Sequence, residues 1–153
     1  MIPNVIEQEI LIEAPMDVVW RVVTEPEQIS RWFSDSAEID MRPGGDGVLA
    51  WKDHGTVKLR VEKLEPPRAF SFRWVFPEGA EPREGNSMLV EFALSAEGES
   101  TRLRVVERGM RDMGAWTEEE KARFVEDHTA GWVGHLGGLR TYVAQDCQVS
   151  MRP

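Results

Sequence analysis

Apolar residues recur at every second position over most of the first two thirds of the chain, and at every third or fourth position near its end. That pattern predicts a long run of strands closed by one amphipathic helix. Ile6, Ile10 and Ile12 alternate with Glu7, Glu9 and Glu13 as a half-buried first strand. Pro15 and Pro26 then each open a short helix, where proline's missing N–H costs nothing because the first-turn donors have no partner anyway. The first helix carries Val18, Val19, Trp20, Val22 and Val23, and the second brings Ile29, Trp32 and Phe33 together.

Alternation resumes at Ala37, Ile39 and Met41 and turns through the glycines of 43–47. A return strand over 48–52 turns again at 53–55, where His54 sits at the tip, into Val57, Leu59 and Val61. Pro66-Pro67 breaks that strand, and Phe70, Phe72, Trp74 and Phe76 share the inward face of the next. Residues 77–86, rich in proline, glycine and charge, read as a surface loop. Met88, Val90, Phe92 and Leu94 follow on one face, then Leu103, Val105 and Glu107 on the return strand. Thr117 and Glu120 have the spacing of a capping box, opening a helix to about Ala144. Its expected inward stripe is Ala122, Val125, Thr129, Trp132, Leu136, Leu139 and Val143. The predicted fold is α+β, a curved antiparallel sheet of about seven strands gripping a long C-terminal helix, with two short helices after strand 1. A single domain is expected over 1–153, with its core at about 6–144 and a tail from 145.

At 153 residues the chain is long enough to bury a core without disulfides or metals. The single Cys147 cannot pair internally, and no basic-then-apolar leader begins the sequence, so a reducing cytoplasm is the expected location. With 27 acidic and 18 basic residues the formal charge is −9, which repels phosphate backbones and anionic lipid. Neither nucleic acid nor a membrane is an expected partner.

In this order the residues resemble the activator-of-Hsp90-ATPase-like branch of the START-like (SRPBCC, Bet v 1-like) superfamily, over nearly the whole chain from Ile6 to Val143. The pieces that carry the resemblance are Ile12-Glu13-Ala14-Pro15 with Val19-Trp20, Ile29-Ser30-Arg31-Trp32-Phe33, and Gly45 with Gly47 at a hairpin. Pro67-Arg68 before Phe72-Arg73-Trp74, Thr101-Arg102-Leu103, and Gly131-Trp132 complete them. The resemblance implies a helix-grip fold. Similar proteins include ligand carriers, aromatase/cyclases and co-chaperone domains, so it implies no shared catalytic set. In eukaryotic co-chaperones of this kind a similar domain follows a separate Hsp90-binding domain; none precedes Met1, so Hsp90 activation is not expected here. A homodimer is left open.

Between sheet and helix the expected cavity lining is Trp32, Phe33 and Trp51, then Phe72, Trp74, Met88, Val90 and Phe92, and finally Trp132 and Leu136. These would bind an apolar or aromatic ligand, or else pack as a closed core. Glu107, alone among apolar neighbours, is the candidate polar contact or acid–base group; its bland alternative is a strand-end carboxylate paired with Arg73, Arg108 or Arg111. His128 and His135 share a helix face with Phe124 and Gly131, about 10 Å apart, too far to share one metal ion. Neither a metal nor a cofactor is expected. Gly131, Gly134, Gly137 and Gly138 each weaken a helix interior, which points to close helix–sheet approach or a bend at a cavity mouth. Non-covalent binding of a small hydrophobic ligand is the primary expectation. The alternatives are a cyclase- or hydrolase-like enzyme using Glu107 or a histidine, and a co-chaperone-like interaction module using the acidic surface and the 77–86 loop.

Overall fold

The computed structural model describes residues 3–53, 55–75, 81–83 and 85–147. His54, Phe76, half of the 77–86 loop and the Cys147 side chain lie outside the described residues. Strands β1 (Val5–Ile12), β2 (Ser36–Ile39), β3 (Asp46–Trp51), β4 (Gly55–Glu65), β5 (Ala69–Val75), β6 (Ser87–Glu97) and β7 (Ser100–Arg108) form one antiparallel sheet. Their order is β1-β7-β6-β5-β4-β3-β2, so every neighbour after the first pair is a hairpin. Helices α1 (Met16–Thr24) and α2 (Pro26–Trp32) connect β1 to β2, and α3 (Glu118–Tyr142) closes the concave face. The seven-stranded, helix-grip α+β expectation is met.

Local chemistry sets the boundaries. Pro26 is the first residue of α2, whereas Pro15 stands one position earlier, as the N-cap of α1. Thr117 accepts from the Glu120 N–H while the Glu120 carboxylate accepts from the Thr117 N–H, so the capping box forms as spaced. Gly45 is required by close approach: a Cβ there would lie 1.9 Å from the Asp40 carbonyl oxygen. Gly109, at φ +115°, turns the chain out of β7 in a conformation that side chains disfavour.

The centre of the grip is solid. Phe70, Phe72 and Phe92 lie ring against ring between sheet and helices, and the void they share with Trp32, Ile29 and Leu59 measures about 10 Å³. That is no more than room for one water, in apolar walls that would not hold it. Trp32 donates its indole N–H to the Val22 carbonyl at 2.9 Å, tying α2 to α1 within this core.

Two expectations about α3 are corrected. In its first half the helix is turned so that Phe124, not Ala122, is buried, while Ala122 is exposed. The physical reason is size and partnership: Phe124 packs on Trp116 at 5.1 Å and His128 at 3.7 Å, contacts that alanine cannot make. Nor do the glycines mark close packing. A Cβ built at Gly131, Gly134 or Gly137 meets nothing within 4 Å, and at Gly138 only the Trp32 carbonyl oxygen at 3.9 Å.

Candidate functional site

Strand pairing puts Glu107 between Ile6 of β1 and Val90 of β6, with its side chain on the concave face. It is fully buried. An isolated carboxylate in such surroundings costs several kcal/mol, so its partners decide whether the fold tolerates it. Trp74 reaches over β6 from β5 and donates its indole N–H to Oε2 at 2.8 Å. From α3, Trp132 donates its indole N–H to Oε1 at 2.9 Å, and His128 Nδ1 lies 2.8 Å from the same oxygen. The expected arginine partners are not used. Arg108 and Arg73 lie on the other face of the sheet by strand alternation, where they pair with Glu91 at 2.9 Å and Glu62 at 3.4 Å.

Above this carboxylate a cleft of about 740 Å³ opens at one end of the sheet. Phe33, Trp51, Trp74, Phe124 and Trp132 supply its aromatic walls, Thr56, Val57 and Val75 its sheet edge, and Asp127, His128, Gly131 and His135 its helix side. Phe33 organises the rings. It stacks on Trp132 at 5.4 Å and on Trp74 at 5.8 Å, and meets Trp51 edge-on at 5.3 Å. Trp51 is fixed from the other side by donating to the Phe33 carbonyl at 2.8 Å.

Of the residues singled out from the sequence, Phe33, Trp51, Trp74, Trp132, His128 and His135 therefore meet around one opening, with Glu107 beneath it. Trp32, Phe72, Met88, Val90, Phe92 and Leu136 do not; they belong to the packed core. Sequence reasoning missed Thr56, Val57, Val75, Phe124, Asp127 and Gly131 as walls. The spacing of Phe124, His128, Gly131 and His135, which places one face of a helix toward the opening, was the available signal.

Burial lowers the proton affinity of His135 below its ordinary value near 6.5; hydrogen bonding to the Trp32 backbone opposes this, and the nearby His128 adds to it. The unfolded chain thus takes up this proton at higher pH than the folded one. Stability from this residue is complete above pH 6.5 and is lost on acidification toward its folded value. His135→Gln is expected to flatten the fall in urea midpoint between pH 7.5 and pH 5; an unchanged slope would assign the fall to other groups.

A curved antiparallel sheet gripping a C-terminal helix, with two helices after the first strand, is the fold of the START-like, Bet v 1-like superfamily. Residues 13–144 match the family model described as Activator of Hsp90 ATPase homolog 1-like protein, and the chain belongs to that family. Comparison with the curated proteins finds no match. Among solved structures, DynU16, described as a putative protein in the dynemicin biosynthetic locus, is 25% identical with a TM-score of 0.76. The match covers 94% of this chain and 48% of that one, so this chain spans about half of DynU16. CalU16 from Micromonospora echinospora is 29% identical with a TM-score of 0.67, over 93% of this chain and 74% of that one. The Aha1 dimer from Colwellia psychrerythraea, 17% identical with a TM-score of 0.74 over 90% and 94% of the two chains, is alike in fold alone. No helix among the described residues is long and apolar enough to cross a membrane.

Proposed function

We propose that this protein binds a small, flat, largely apolar molecule in the cleft between α3 and the open end of the sheet. The observation that carries the reading is the wall of five aromatic side chains around an opening of about 740 Å³, beside a core that is otherwise closed. Rings of this kind hold an apolar ligand by burial and stacking, and a few polar groups fix its orientation. Here those groups are His128, His135 and Asp127, all on the helix side. The same reading places the protein in the cytoplasm, without nucleic-acid or membrane partners. Self-association of the kind named for the Colwellia protein is compatible with it.

The test uses N-phenyl-1-naphthylamine, a neutral aromatic probe. Saturable binding that quenches tryptophan emission is expected, because Trp51, Trp74 and Trp132 all line the opening. Gly131 provides the discriminating variant: it lines the cleft, and a Cβ there meets nothing. Gly131→Leu should weaken probe binding at least about 10-fold while raising helix stability by several tenths of a kcal/mol or more. No saturable binding, or binding indifferent to Gly131→Leu, would remove the cleft as the binding site.

A further inference from the structure

We infer that Glu107 and His128 form a proton-transfer pair in this cleft, the carboxylate holding His128 as general base toward a flat, largely apolar molecule with a weakly acidic C–H or O–H. The inference rests on the ligand-binding reading above and adds a reaction to it.

The geometry assigns the roles. An indole N–H can only donate, so both Glu107 oxygens act as acceptors, Oε2 toward Trp74 and Oε1 toward Trp132. A carboxylate engaged in this way accepts a third hydrogen bond from Nδ1–H of His128 at 2.8 Å. With Nδ1 protonated, the neutral imidazole carries its acceptor lone pair on Nε2. A carboxylate on one imidazole nitrogen sets the tautomer and stabilises the imidazolium that forms when the other takes a proton. His128 also lines the cleft, with its side chain 21% exposed. Phe124 stacks on its ring at 3.7 Å and Trp74 meets it edge-on at 5.8 Å, which holds the ring in one orientation.

Glu107 is the positioning residue and His128 the general base. The other titratable groups among the described lining residues are Asp127 and His135, both on α3. Stability alone gives little reason for the pair, since a buried carboxylate and all its donors, exchanged together for well-packed apolar residues, are often replaced at little net cost, although removing the carboxylate alone strands the donors. In the step itself a proton passes from the bound molecule to Nε2. The bonding electron pair stays on the molecule, as an enolate or phenolate or by expelling a leaving group, and the new positive charge lies against Glu107. No electrons are exchanged with any other reagent.

The experiment uses 5-nitrobenzisoxazole, a flat aromatic carbon acid. Base removes its C3 proton, the C–H electron pair becomes part of the nitrile, and the N–O bond breaks to give coloured 2-cyano-4-nitrophenolate. Turnover by the intact protein is expected to exceed that of equimolar free imidazole by roughly 10²-fold or more. His128→Gln, at a partly exposed position that should leave folding intact, should remove that excess. Glu107→Gln should lower kcat at least about 10-fold with KM kept, because the imidazolium that forms in the step loses its anionic partner. A merely structural Glu107 would not lower kcat while leaving KM unchanged. Probe binding with turnover no faster than imidazole, or full turnover in His128→Gln, overturns the proton-transfer pair and leaves the binding reading standing. Binding of N-phenyl-1-naphthylamine without binding of the benzisoxazole at millimolar concentration overturns the proposed substrate class. Failure of both probes to bind removes both readings.

Discussion

Replacing Trp132 with alanine is expected to cost about 3–5 kcal/mol, the range for deleting a large buried aromatic side chain. Trp132 is only 3% exposed, stacks on Phe33, and meets Phe92 edge-on at 6.0 Å, so its removal opens a hole where α3 meets the sheet. It also strips Glu107 of one of its hydrogen-bond donors. Trp132→Phe separates the two contributions, because it keeps most of the packing and loses only the N–H. Its expected cost is about 1.5–3 kcal/mol, as for a hydrogen bond to a charged acceptor. Urea denaturation with an unchanged m-value is the measurement. A loss below about 1 kcal/mol for the alanine variant would mean that α3 does not seat Trp132 in the core.

Glu107→Leu is expected to cost a similar amount, about 3–5 kcal/mol, for a different reason. Leucine is apolar and fits the position, so the loss comes from what is stranded: the Trp74 and Trp132 N–H groups, each deprived of its acceptor. A buried donor left unsatisfied costs about 1–3 kcal/mol. The second change Trp132→Phe should then be far less harmful in the Glu107→Leu background than in the native one, since it deletes a donor already stranded. A double-mutant cycle checks this directly. Additive losses would show that Glu107 is held by something other than the indoles.

Several elements were legible before any coordinates because their signals are local. Period-two alternation in β4 and β6, the proline at the start of α2 and the Thr117–Glu120 capping box each depend on residues a few positions apart. The inward face of β7 was legible too, and with it the anomaly of Glu107: alternation alone put a carboxylate among Leu103 and Val105. What alternation could not supply was its partner. Arg108 is the nearest cation in sequence, but the pleat sends it to the opposite face, while the actual partners come from β5 and from α3, 33, 25 and 21 residues away.

The division between open and closed space was likewise settled in three dimensions. An inward aromatic residue reads the same in sequence whether it packs against another ring or borders a void. Phe72 and Trp74 are two positions apart on one strand face, yet Phe72 sits against Phe70 and Phe92 while Trp74 borders the cleft. The sheet's curvature and the seating of α3 decide which is which, through close packing of rings on separate elements. Local periodicity and turn chemistry thus determined the strands and the helices. Only the tertiary structure joined a buried carboxylate, two indoles and a histidine at the base of one opening, because burying Glu107 requires donors that no single stretch of the chain can provide.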